Sequence, residues 1–346
     1  MSVPFRNDSN DSNDSNDSND SNDSNDSNDS NDSNSSGVSG LSAYSGQRTS
    51  PLLASAIWST QAEITRSVAD LKAADYGSHV ISTDQAYRRW SRGVRAQLYL
   101  EQLLDDCHFE MSQDSAKMWV RSGVPQMSGT TLSCTYDACV TLDRPKCDMA
   151  TAGSLPGDDL QTELKGVFDM AILRGERMPE ILTQVSAPYA FFAAVLDLQS
   201  GRHRYTFELM STGLAYASAI CQRFKDHFRV MRPSERTPLL QPPLMVPGHA
   251  SYPAGHATQA HLLRTLLLKL KPAPTVELAQ QLLLLANRIG ENRIVAGLHY
   301  PVDIKEGKKL GEQLGARIIK LADPATASGI RSPGLEWLWT RAVAEW

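Results

Sequence analysis

Seven apolar side chains, Phe207, Met210, Leu214, Ala217, Cys221, Phe224 and Phe228, follow one another at alternate steps of three and four residues. That spacing puts them on one face of an α-helix roughly six turns long. Such a stripe is stable only when other elements cover it, so the chain has to fold around this helix. Helical spacing also resumes from Leu160 and predicts helices over 256–270, 276–289 and 302–321, with a short Trp-rich one over 335–346. Nearer the start, Leu53, Ile57, Ile64, Val68 and Leu71 mark an amphipathic helix, and another is expected over 84–104. Between 107 and 157 the period is lost while Gly, Pro, Thr and Ser gather. That stretch reads as loops with a short hairpin around 130–141. The expected fold class is mainly α, a helical bundle with a loop-rich insertion.

The first residues obey a different rule. From Asn7 to Ser33 the triplet Asn-Asp-Ser repeats nine times and offers nothing apolar to bury, so residues 1–46 are expected to be a disordered tail and linker. Residues 47–346 are then expected to form one domain. The tail also hides the charge of the rest, because it holds nine Asp and one Arg; without it the formal net charge moves from -5 to about +3. A surplus that small suggests no nucleic-acid partner, although basic side chains gathered in one pocket would hold a small anion. No apolar run has membrane-spanning length and no secretory signal is evident, so the expectation is a soluble, cytoplasmic protein. Five cysteines, an odd number, suit a reducing compartment better than a disulfide framework. Cys134, Cys139 and Cys147 match no common zinc spacing and read as ordinary thiols.

Three short blocks carry the chemistry. Lys225 and Arg232 stand seven apart, about two helical turns, so both are expected on one face near a helix end. Taken alone they also fit a solvated helix carboxy terminus. In Tyr252-Pro253-Ala254-Gly255-His256, proline and glycine break the chain just before an apolar helix. Exposed N–H groups at that helix start attract an oxyanion, Gly255 permits close approach of the backbone, and His256 is expected to titrate near neutrality. A turn with a capping histidine fits the same five residues equally well. The third block runs from Asn292 and Arg293 to His299 and Asp303. There a carboxylate four residues on can take the proton of one imidazole nitrogen and leave the other as nucleophile or ligand. Read singly, it is also an ordinary salt-bridged helix.

Together, in this order, the blocks resemble the signature Lys-x6-Arg-Pro, Pro-Ser-Gly-His, Ser-Arg-x5-His-x3-Asp. That signature is shared by type-2 phosphatidic acid phosphatases and vanadium-dependent haloperoxidases. Lys225 to Pro233, Pro253 to His256 and Asn292 to Asp303 keep the spacing within each block, and the resemblance covers roughly 160–320. It implies that Lys225, Arg232 and Arg293 neutralise an oxyanion, that Gly255 offers its N–H, and that His256 is the acid and base. It implies that His299 is the axial vanadium ligand of a peroxidase or the nucleophile of a phosphatase, oriented in the latter by Asp303. Two serines of the signature are replaced here, by Ala254 and Asn292. Losing the hydroxyl at 254 should weaken transition-state stabilisation by roughly 1–3 kcal/mol without dismantling the site.

His249, seven residues before His256, resembles the histidine of bromide-oxidising haloperoxidases and is a candidate halide or supporting residue. The resemblance therefore puts first a haloperoxidase oxidising bromide or iodide with peroxide at a bound vanadate. A soluble acid phosphatase acting on phosphomonoesters comes second, and a degenerate phosphate-binding protein third. The family also implies a homodimer, with Trp337, Trp339 and Trp346 covering the bundle or meeting a second copy.

Overall fold

The computed structural model describes residues 82–105, 107–122, 126–128, 131–133, 135–148, 158–186, 188–326 and 330–346. The tail, the helix expected around Leu53 to Leu71 and Cys134 lie outside the described residues. In chain order the helices are α1 Thr83–Arg89, α2 Arg92–Asp105, α3 Asp158–Ala171, α4 Arg174–Ser186, α5 Pro188–Leu196, α6 Arg204–Phe228, α7 Pro233–Arg236, α8 Gly255–Leu270, α9 Val276–Val295, α10 Pro301–Ala322 and α11 Pro333–Val343. The strands are β1 Cys107–Met111, β2 Ser115–Arg121, β3 Gln126–Ser128, β4 Thr131–Ser133 and β5 Tyr136–Asp143. The protein is mainly α.

The long helix α6 forms as its stripe requires. Met210, Ala217, Cys221, Phe224 and Phe228 are buried, with Phe207 and Leu214 half-buried. At the centre lies α8, apolar on most of its circumference, packed against α6, α9 and α10. The α8–α10 seam is unusually close because Gly307 and Gly311 line it. A Cβ at Gly311 would stand 2.2 Å from the carbonyl oxygen of Thr258, and one at Gly307 would stand 2.6 Å from that of Ala254. This close approach brings the loop before α8 against the start of α10, where the site is built.

Three expectations need correction. The helix expected over 84–104 is two helices, because Trp90 is extended (ψ 143) and caps α1 before α2 begins. The stretch after 107 is not mainly loop: β1, β2 and β5 form an antiparallel sheet in that order, with Met118 facing Phe109 and Val140 across the register. Its buried face is Ala116, Met118, Val120, Val140 and Leu142, an alternation carried on β2 partly by Ala and Met, residues of no strong strand preference. The hairpin expected at 130–141 does not form either, since β4 pairs with β3 and β5 with β2. The sheet lies on α6 and α10, where the Phe109 and Phe224 rings meet edge-on at 5.8 Å and Lys309 donates to the carbonyl of Thr141 at 2.7 Å. Helix bounds elsewhere shift by little, except that α9 continues past Ile289 to Val295 and so carries Asn292 and Arg293 on a helix.

Candidate active site

Lys225 and Arg232 reach the site from different elements, which corrects the expectation of a shared helix face. The helix α6 ends at Phe228, and Arg229 turns left-handed (φ 52) with its N–H on the carbonyl of Lys225. Arg232 then caps the start of α7. The convergence survives the break. Lys225 Nζ donates to the carbonyls of Ala250 and Ser251 at 2.7 and 2.6 Å. Arg232 donates through Nε to His249 O at 2.9 Å and through one terminal nitrogen to Leu298 O at 2.7 Å. Arg293 donates to Ile181 O at 3.1 Å and to Gln184 Oε1 at 3.2 Å, while its Nε finds no partner.

All three cations are 1–2% exposed, and among the described residues none pairs with a carboxylate through its side chain. Burial lowers the pKa of Lys225 to about 8 and that of Arg293 to about 10, while Arg232 is lowered by the same cause. Buried charge held only by neutral acceptors is costly, and an incoming oxyanion would relieve that cost.

Asp303, in the first turn of α10, is fully buried and holds His299. Its Oδ2 lies 2.9 Å from His299 Nδ1 and accepts the N–H of Tyr300 at 3.0 Å and the hydroxyl of Ser251. A carboxylate oxygen at that distance fixes the imidazole proton on Nδ1. The lone pair is then on Nε2, which faces an Arg232 terminal nitrogen 3.5 Å away. Burial, followed by Lys225 and Arg232, holds the His299 pKa well below its usual range. Burial raises Asp303 to about 6, although Ser251, Lys225 and Arg232 oppose the rise.

His256 stands at the amino end of α8, where the N–H groups of the first turn precede the first intrahelical bond, from Thr258 to Ala254 O. Its Nε2 donates to the carbonyl of Gln184 at 3.1 Å. The expectation that it titrates near neutrality is not met: burial, then Arg293 and His299, press its pKa to about 3. A bound dianion would push the value back up. Gly255 has open space where a Cβ would stand. Ala254 is buried and caps α8 without a side-chain bond. His249 is exposed at the edge, its Nδ1 3.2 Å from Arg232. Among the described residues no cluster of His, Cys, Asp and Glu could hold a metal ion.

The motifs leave out two residues of this site. Ser251 bridges Asp303 and His299, its Oγ lying 3.3 Å from His299 Nδ1. Gln184 reaches in from α4 to Asn292, Arg293 and His256. Ser251 lies just outside the second block, one residue before Tyr252. Gln184 is more than a hundred residues from its partner Arg293, and nothing in the sequence links the two.

No protein-family model matches this chain, and no curated protein matches it. A solved structure does. It is similar to the first transmembrane PAP2-type phosphatidylglycerolphosphate phosphatase from Bacillus subtilis, at 16% identity and a TM-score of 0.37, over 46% of this chain and 84% of that one. Among the described residues no helix is long and apolar enough to cross a membrane.

Proposed function

We propose that this protein is a phosphate-monoester hydrolase of the phosphatase and haloperoxidase type, with His299 as nucleophile. The observation that carries the reading is the Asp303-held imidazole whose Nε2 meets Arg232, one of three buried cations that pair with no carboxylate through their side chains. In the proposed reaction Lys225, Arg232, Arg293 and the N–H of Gly255 neutralise the phosphoryl oxygens. The Nε2 of His299 attacks phosphorus and the ester P–O bond breaks. Asp303 offsets the charge that develops on the imidazole, and His256 passes a proton to the leaving oxygen. Water then attacks the phosphohistidine, giving a proton to His256 and releasing phosphate. His256 can act as that acid because the substrate's negative charge raises its pKa.

Sequence resemblance puts the peroxidase first; the reading proposed here puts the phosphatase first, supported by a carboxylate-oriented nitrogen that suits a nucleophile. The decisive assay is hydrolysis of an aryl phosphate, with the phosphoryl group sought on His299 by mass spectrometry after a rapid quench. Hydrolysis that persists in His299→Ala would overturn the assignment. The pH profile sharpens it. Activity on free substrate should fall as pH drops through about 6, where Asp303 takes up a proton, and fall again as pH rises through about 8, where Lys225 loses its charge.

One observation favours a second reading, a vanadate-dependent haloperoxidase: His249 stands at the edge of the cage against Arg232. The donor set fits vanadate as it fits phosphate: His299 Nε2 would hold the metal and Lys225, Arg232 and Arg293 would neutralise its oxygens. Vanadate would supply peroxide activation there. Bromination of a phenol indicator in the presence of orthovanadate, peroxide and bromide, without phosphatase activity, would restore that order. Tight phosphate binding with neither turnover would leave a binding protein.

A further inference from the structure

Gln184 belongs to none of the three sequence blocks, yet both its side chain and its main chain reach the cage. We propose that Gln184 is the positioning residue of the site, aiming Arg293 with its side chain and holding the His256 proton on Nε2 with its main-chain carbonyl. The inference rests on the oxyanion reading above and goes beyond it.

Gln184 is 1% exposed on the inner face of α4. Its Oε1 accepts from Arg293 at 3.2 Å and from Asn292 Nδ2 at 3.0 Å. The same Arg293 nitrogen meets Ile181 O, one turn earlier on α4. The Nε2 of Gln184 has no partner, so the side chain is held for its oxygen. That oxygen is neutral. A carboxylate in its place would aim the guanidinium equally well but cancel the charge that the oxyanion needs.

Gln184 is itself fixed from behind. The amide of Asn292 donates to Gln184 Oε1 and, at 2.9 Å, to Glu180 Oε2, and Glu180 is clamped by Arg288 at 2.9 and 2.8 Å. Asn292 stands where the resembled signature has serine. A hydroxyl has one proton to donate, whereas the amide nitrogen has two and both are used here. The replacement thus supports a tie between α9 and α4 that one hydroxyl could not make in full.

The main chain supplies the other half. A carbonyl oxygen can only accept, so the 3.1 Å contact requires a proton on Nε2 of His256. Nδ1 is then the atom that gains and releases the catalytic proton.

The test compares inorganic phosphate binding by calorimetry with thermal stability in the unmodified protein, Gln184→Glu and Gln184→Met. It adds the nitrogen NMR signals of His256 in all three. Glutamate keeps the shape and the acceptor, so a purely structural role predicts that it outperforms methionine in both measurements. Positioning predicts a split. Glutamate should be the more stable variant but bind phosphate about tenfold or more weakly, whereas methionine should bind only about threefold more weakly. His256 should show the proton on Nε2 throughout, because the main-chain bond is untouched. Glutamate binding phosphate as well as glutamine does, or His256 carrying its proton on Nδ1, would overturn the inference. If Gln184→Glu fails to fold, methionine decides, and phosphate binding unchanged from the unmodified protein sinks the proposal. An unmodified protein that binds no phosphate would instead remove the oxyanion reading itself.

Discussion

Arginine is buried both beneath the first helices and in the cage, and the two regions treat it in opposite ways. Near the start of the described chain, Arg95 of α2 meets Glu208 of α6 through two bonds of 2.7 and 2.6 Å. It spends a further nitrogen on the carbonyls of Tyr87 and Trp90. Both partners are 1% exposed, and the pair docks α1 and α2 onto the long helix. In the cage, Arg232 and Arg293 are equally buried but receive only carbonyl, amide and imidazole partners. The first arrangement is electrically closed. The second pairs no cation directly with a carboxylate and sets three buried cations against the single buried charge of Asp303, which is how a site for an anion differs from a structural clamp.

That contrast can be broken most sharply at the clamp. Glu208→Gln should leave Arg95 buried without its counter-charge and cost about 3–5 kcal/mol in a denaturant titration, with or without phosphate. Replacing both partners by apolar residues should restore most of that loss. At the cage the signature should invert. Phosphate at a hundred times its Kd should stabilise the unmodified protein by about 2.7 kcal/mol, and Arg232→Met should gain nothing from the same concentration. An Arg232→Met protein that phosphate stabilises fully would mean that the cation is not part of an anion site. The smallest effect concerns Ala254, which caps α8 without a side-chain bond. Ala254→Ser should add about 1 kcal/mol of stability by accepting an N–H of the first turn. It should also raise phosphatase turnover. A stability gain with no change in turnover would show that the serine of the resembled signature serves the helix here and not the reaction.

Legibility in the sequence followed the range of the interaction. The helices α6, α8, α9 and α10 were readable because their apolar period is a local property, repeated over many turns. The pairing of His299 with Asp303 was readable from its four-residue spacing, although His299 lies in the loop before α10 and the pair spans the start of that helix. The sheet was not, because β2 pairs with β5 across a chain segment whose alternation is short and carried partly by Ala and Met. The pKa of His256 was not readable because it depends first on burial and then on Arg293 and His299, which arrive from other elements.

What the amino-acid order determined by itself was an inventory and its spacing: which cations, which imidazoles, and at what steps along the chain. Only the tertiary structure decided that Lys225 and Arg232 converge from two elements. It alone decided that Ser251 completes the hold on His299 and that Gln184 reaches the cage from α4. The reason is physical. Periodicity is set by backbone geometry one turn at a time, whereas the partner of a buried charge is chosen by whichever polar atoms the packed helices leave beside it.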